Sequence, residues 1–242
     1  MTMEFLFQED PYLKSCRARI TESSPEGVFF DRTVFYPEGG GQPGDTGIMR
    51  LSSGAEVSIT DTRKHGVQDQ DILHVLAEDS TIPEVGEEVE LQIDWERRHR
   101  LMRMHTSLHL LCSLVDGDVT GGQISDGKGR LDFNLPDGAP DKSWLTDELN
   151  DLIRRAIPVS VIWASDEELD KTPELVRTMS VKPPRGSGRV RMLQIEGVDL
   201  QPCGGTHVSN TSEIGTLEVG KIENKGRQNR RINLRFAKQE TA

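Results

Sequence analysis

The chain of 242 residues is long enough for one large domain or two modest ones, each with its own core. Apolar residues make up 34% and no apolar run reaches about 18 residues, so no membrane-spanning helix is expected, and the opening MTMEFLFQEDPYLKS lacks the basic leader and apolar stretch of a secretory signal. A net charge of −11 speaks against a general nucleic-acid binder, and three widely spaced cysteines, Cys16, Cys112 and Cys203, speak against a disulfide framework and for a reducing, cytoplasmic setting.

The first 94 residues read as β-rich. GVFFDRTVFYPE (27–38) is aromatic and β-branched between glycine and proline. GIMRLSSGAEVSITDTRKHG (47–66) reads as a hairpin turning at Ser53-Gly54, and ILHVLAE (72–78) and EEVELQID (87–94) as further strands, so a small N-terminal β-barrel is expected. The period changes after Asp94. DWERRHRLMRMHTSLHLLCSLVDG offers Asp94 as N-cap, Glu96 in the first turn and Gly117 as a stop, with Leu101, Leu108, Leu111 and Val115 at helical spacing. A domain boundary is therefore drawn at 94, with a second domain over 95–242.

Beyond the helix, RLDFNL (130–135) reads as a strand and SWLTDELNDLIRRAI (143–157) as a helix with Leu145, Leu149, Leu152 and Ala156 on one face. VSVIWAS (159–165) alternates as a strand, Ser165 and Glu168 offer a capping box, and Thr172-Pro173 a helix start. RVRMLQIEG (189–197) is a strand leading into VDLQPCGGTH, and residues 215–237 read as a hairpin around Lys225-Gly226. The order predicts an α+β second domain, a mainly antiparallel sheet packed with long helices.

Two short motifs carry chemistry. HTSLH places His105 and His109 four apart, on one face of the long helix. QPCGGTH places Cys203 and His207 four apart, around two glycines that permit a tight bend. Either pair alone also fits a histidine that merely satisfies a hydrogen bond in a core. Together they offer three nitrogens and one sulfur, a donor set suited to one Zn²⁺ ion. The helix lacks the glutamate of HExxH, which excludes a zincin mechanism, and Cys112 among leucines reads as a small core residue.

FYPEGGGQPGDTG (35–47) packs five glycines into 39–47. Asp45 stands where a P-loop has lysine, so no nucleotide cofactor is expected. The stretch is either a crowded turn or a backbone surface that approaches a ligand closely, with Gln42 and Asp45 as its polar side chains. The charge is uneven. Residues 181–242 carry eleven Lys and Arg against six Asp and Glu, with Lys221, Lys225, Arg227, Arg230, Arg231, Arg235 and Lys238 opposed locally only by Glu223, and Lys182, Arg185, Arg189 and Arg191 as a second group. Such a basic end can grip a nucleic acid, with affinity that salt weakens.

HTSLHLL, GRLDF, PCGGTHV and EIG…NKGRQNRRI occur in order and at compatible distances, and GGGQPGDTG precedes them. As a set they resemble the editing domain of alanyl-tRNA synthetase and, more closely, the freestanding alanyl-tRNA editing proteins of medium length, over about residues 5–236. The resemblance implies that His105, His109, Cys203 and His207 bind zinc, and that the protein hydrolyses mischarged tRNA(Ala), Ser-tRNA(Ala) and also Gly-tRNA(Ala). The synthetase carries a glutamine after its first helix. Here the region is GDVTGGQIS (117–125), and Thr120 or Gln123 stands in its place. Thr106, Gln42, Thr120 and Gln123 are candidates to read a serine hydroxyl, and Gly39, Gly40, Gly41, Gln42, Asp45, Thr120, Arg230 and Arg231 to contact substrate. Three alternatives stay open: a zinc-stabilised RNA-binding module without catalysis, a metal-dependent hydrolase of small esters or amides, and an editing domain for another amino acid. The oligomeric state is open, with a monomer favoured.

Overall fold

The computed structural model describes residues 3–66, 71–165, 167 and 189–238. The expected capping box at Ser165 and Glu168, the helix start at Thr172-Pro173, and Lys182 and Arg185 lie wholly or partly outside the described residues. The chain forms two compact units, Met1–His99 and Arg100–Ala242.

In the first unit, strand β1 (Glu4–Phe5), the single-turn helix α1 (Leu6–Glu9), β2 (Ser15–Ser24), β3 (Gly27–Phe30), β4 (Arg32–Thr33), β5 (Gly47–Arg50), β6 (Glu56–His65), β7 (Asp71–Leu76) and β8 (Glu88–Ile93) follow in order. Six of them close into a barrel in the order β2-β3-β7-β6-β5-β8. Alternation supplies its interior: Ala18 and Ile20, Val57 and Ile59, and Val89, Leu91 and Ile93 point inward from their strands. Strand β2 escapes sequence reading because SCRARITESS offers only small or isolated apolar residues on its inner face. Gly54 donates to Leu51 O in the turn between β5 and β6, as the Ser53-Gly54 signal predicts.

Helix α2 (Trp95–Leu114) begins with the expected cap, Arg97 N donating to Asp94 Oδ1 at 3.0 Å. From Leu101 to Cys112 every residue is buried except the half-buried Arg103. A helix covered on all sides shows no clean polar face over that stretch.

The rest of the second unit comprises β9 (Val119–Ser125), β10 (Lys128–Asn134), α3 (Lys142–Arg154), β11 (Val159–Ala164), β12 (Val190–Ile195), β13 (Asp199–Pro202), a 3₁₀ turn at Thr211–Ile214, β14 (Leu217–Asn224) and β15 (Asn229–Phe236). They build two antiparallel sheets, β14-β15-β10-β9 and β11-β12-β13. The unit is mostly sheet, and α2, with 20 residues, is its one long helix among the described residues, not one of several. Strand β9, to which the sequence reading assigned no element, is held by its ladder with β10. Gly129 of β10 lies against Met104 and Leu108, which seats the four-stranded sheet on α2. On α3, Leu145, Leu149 and Leu152 are buried, but Ala156 is exposed with φ 51° just past the helix end, where a left-handed residue closes the last turn. Among the described residues no helix is long and apolar enough to cross a membrane.

Candidate metal centre

The central helix and the segment after β13 bring His105, His109, Cys203 and His207 together, with their ligand atoms all within 4.8 Å of one another. Cys203 Sγ lies 3.5 Å from His105 Nε2 and 3.1 Å from His207 Nε2. A tetrahedral ion with bonds of about 2.0–2.3 Å sets neighbouring ligand atoms about 3.3–3.6 Å apart, so the cluster is close to the size it needs. The three imidazoles are buried and Cys203 is half-buried.

The protonation chemistry of Cys203 and His207 also suits a cation. Burial opposes the Cys203 thiolate, but the imidazoles of His105 and His207 outweigh it and hold the thiol well below its ordinary range. Burial and the neighbouring His105 keep His207 well below the usual imidazole range despite Cys203, so it is neutral. Burial likewise disfavours a charged His109, yet hydrogen bonds to Asp199 and Cys203 prevail and raise it to about 10. A thiolate and a neutral imidazole are the ligand forms a metal takes, so Cys203 and His207 are already in them, whereas His109 must release a proton to join them.

His207 and His109 are each aimed by a partner. Thr106 Oγ1 donates to Met102 O at 3.0 Å, accepts from Val208 N at 3.3 Å and lies 3.3 Å from His207 Nδ1. A hydroxyl has one hydrogen and two lone pairs, so His207 donates from Nδ1 and turns Nε2 toward the cluster. The hydroxyl of Thr106, a candidate to read a serine side chain, is thus engaged by Met102 O, Val208 N and His207. His109 Nδ1 lies 2.9 Å from Asp199 Oδ2.

Arg191 was expected on a basic surface. It is instead buried, and its Nη1 donates to Cys203 O at 2.7 Å and Gly205 O at 2.9 Å. The bend therefore needs a guanidinium more than it needs glycine flexibility. Neither Gly204 nor Gly205 has a positive φ, and a Cβ on Gly204 would meet nothing within 4 Å. Asp199, Gln201 and Arg191 are the residues that sequence reading missed. Asp199 and Gln201 share the strand face of Cys203 at two-residue steps, a signal visible once β13 is continued to Cys203 N, which donates to Arg191 O.

The remaining candidates lie elsewhere. Thr120, half-buried on β9, has its hydroxyl 3.0 Å from Asn229 Oδ1 and 3.1 Å from Asp132 O. Gln123 is exposed on β9 and accepts from Arg130 Nη2 at 3.2 Å. Arg231 forks onto Asp132 at 2.7 and 2.9 Å and holds that carboxyl below its usual range, with Arg130 assisting. Arg235 pairs with Glu218 and Lys225 with Glu223, so tertiary structure neutralises much of the C-terminal charge that Glu223 alone opposes in sequence. Arg230 donates to Gly226 O and Asn229 O, and Arg227 and Arg230 have no ion pair among the described residues.

The glycine motif belongs to the first unit. Gly40 and Gly41 have φ of 58° and 82° between the paired Gly39 and Gln42, the backbone of a tight hairpin turn. Gly40 and Gly41 are exposed, and Gln42 is buried. A Cβ on Gly44 would stand 2.0 Å from Thr62 O, so strand β6 demands glycine there. Asp45 was expected to touch substrate. It is buried, accepts from Tyr36 N at 2.7 Å and forms a fully buried ion pair with Arg98, which also donates to Val34 O and Pro11 O.

The family described as threonyl and alanyl tRNA synthetase second additional domain matches residues 190–233, and that described as tRNA synthetases class II (A) matches 9–97. The chain is 37% identical over 238 residues to the alanyl-tRNA editing protein AlaX-M of Methanosarcina barkeri, covering 95% of this chain and 97% of that one. It is 35% identical over 242 residues to the alanyl-tRNA editing protein AlaX-L of Pyrococcus horikoshii, covering 96% of this chain and 57% of the relative. It is also 37% identical over 229 residues to the alanine–tRNA ligase of Sulfurisphaera tokodaii, of which it covers 24%. With a His/Cys cluster fit for one metal ion and likeness along nearly the full length of both chains, this chain belongs to the alanyl-tRNA editing proteins.

Proposed function

We propose that the protein is an aminoacyl-tRNA hydrolase that removes a wrong amino acid, serine and also glycine, from tRNA(Ala) at a single Zn²⁺ site. The observation that carries this reading is the gathering of His105, His109, Cys203 and His207 within 4.8 Å, in a chain of the editing family. Water adds to the ester carbonyl, the ribose oxygen leaves with a proton, and free amino acid and tRNA result. When bound, zinc supplies Lewis acidity to carbonyl and water oxygens.

The chain's own residues set the geometry. His105, His109, Cys203 and His207 hold the ion, Thr106 aims His207, and Arg191 fixes the bend that carries Cys203. The exposed Gly204, with open space beside it, leaves an approach for the aminoacyl end. Arg227 and Arg230, at the β14–β15 hairpin and outside any ion pair among the described residues, contact tRNA phosphates. The exposed turn at Gly40-Gly41 is the part of the glycine motif available to RNA.

A cell needs this reaction because an alanine site rejects a near-isostere with an added hydroxyl by only about 10²-fold. A separate hydrolytic site that hydrogen-bonds the hydroxyl discriminates far more strongly, since alanine would leave its polar group unpaired.

The test is deacylation of Ser-, Gly- and Ala-tRNA(Ala) by the full chain, with and without a chelator. Loss of the serine charge with retention of alanine, stopped by chelation, is expected. Equal loss of serine and alanine would reject editing, and undiminished turnover after verified metal removal would reject the zinc role.

A further inference from the structure

Strand β13 and helix α2 meet in two matched pairs beside the metal centre. Asp199 and Gln201 are two apart on the strand, on one face. His109 and Cys112 are three apart on the helix, also on one face. His109 Nδ1 lies 2.9 Å from Asp199 Oδ2, and Gln201 Nε2 lies 3.2 Å from Cys112 Sγ. Gln201 Nε2 also donates to Asp199 Oδ1 at 2.7 Å, which ties the two pairs together. Cys112, Gln201 and His109 are 3%, 5% and 9% exposed, and the Asp199 side chain 5%.

Chemistry sets the direction of each bond. An ionised carboxylate only accepts, so His109 presents Nδ1–H and Gln201 presents its amide nitrogen rather than its oxygen. Both carboxylate oxygens of Asp199 are then engaged, one by a helix residue and one by its strand neighbour. With Nδ1 turned to Asp199, the ring nitrogen left for the cluster is Nε2.

We propose that Asp199 is a positioning residue for the metal centre: it locks His109 with Nε2 toward the ion, and Gln201, anchored on Cys112, holds Asp199 in place. This rests on the metal-centre reading but not on the identity of the substrate. It also gives Cys112 a role beyond filling space, as the buried acceptor at the far end of the chain of contacts. Removing such a partner of a ligating histidine typically weakens metal binding by about 10–100-fold.

The experiment measures Zn²⁺ affinity of the full-length protein by competition with a chromophoric chelator, and the visible spectrum of the Co²⁺-loaded form. The variants are Asp199→Ala, Asp199→Asn, Gln201→Leu and the double Asp199→Ala/Gln201→Leu. Asp199→Ala should weaken Zn²⁺ binding by the folded protein about 10–100-fold and shift the Co²⁺ bands, whatever it does to the metal-free melting temperature. Asp199→Asn keeps an acceptor for His109 but loses the charge, so its loss should be smaller. Gln201→Leu should weaken binding alone yet add nothing once Asp199 is gone, because it acts through Asp199.

Parental affinity and an unshifted Co²⁺ spectrum in Asp199→Ala would overturn the proposal, as would an equal cost of Gln201→Leu with and without Asp199. A packing role alone would lower the metal-free melting temperature and leave the affinity of the folded protein intact, which also overturns it. Should Asp199→Ala not fold, Asp199→Asn carries the same measurement, and parental affinity and spectrum in it overturn the proposal. A parent protein that binds no Zn²⁺ would instead refute the metal-centre reading itself.

Discussion

Arg191 donates from one nitrogen, Nη1, to two carbonyls of the bend that carries Cys203, Cys203 O at 2.7 Å and Gly205 O at 2.9 Å. The guanidinium thus braces the loop from the neighbouring strand, while its own carbonyl accepts from Cys203 N. Replacing Arg191 with Met leaves these acceptors without their donor, at about 1–3 kcal/mol for a buried unsatisfied group. The expected outcome is faster loss of metal to a chelator and a lower melting temperature, with Arg191→Lys intermediate because its more strongly hydrated ammonium is costlier to bury.

The buried Asp45–Arg98 pair ties the glycine motif to the first turns of α2. Losing one partner strands an uncompensated charge, at about 3–5 kcal/mol. Asp45→Ala should therefore lower the urea midpoint sharply, and simultaneous replacement of both residues by apolar side chains should restore part of the loss. A surface role for Asp45 in substrate contact would instead leave the midpoint unchanged.

The two neighbouring arginines of β15 should behave differently. Arg231 is locked to Asp132, whereas Arg230 meets only backbone carbonyls. Arg230→Ala should weaken tRNA binding and reduce the slope of log affinity against log salt by about 1, with stability unchanged. Arg231→Ala frees a largely buried carboxylate and should mainly lower stability, read by urea unfolding.

His74 sits at 0% exposure inside the first unit, 2.8 Å from Thr33 Oγ1, and burial pushes it down to about 3. The unfolded histidine titrates near 6.5, so above that pH neither state binds a proton and the full stability is present. As pH falls from about 6.5 toward 3, the unfolded chain gains a proton that the folded one refuses. Stability should fall by up to about 1.4 kcal/mol per pH unit from this group. Urea unfolding of the parent and of His74→Gln between pH 7 and 4 checks it, and the variant should show a shallower decline.

Most strands with strong alternation were legible in the sequence, as was the capped helix with its paired histidines. The CGGTH bend was legible too, because its residue types are rare and closely spaced. Weak strands were not. Strand β9 is held by the β10 ladder rather than by its own propensity, and β2 by neighbours on both sides. The basic C-terminus read as an open positive patch because Asp132 and Glu218, which neutralise Arg231 and Arg235, lie far away or on another strand.

Local spacing along the chain was enough to single out the four side chains that gather, since a helix puts i and i+4 on one side and a short loop can bring two side chains round one point. Only tertiary structure decided which groups orient those ligands. Asp199 meets His109 across 90 residues and Arg191 meets the Cys203 bend from an adjacent strand, and such partners are chosen by packing, which no local pattern records.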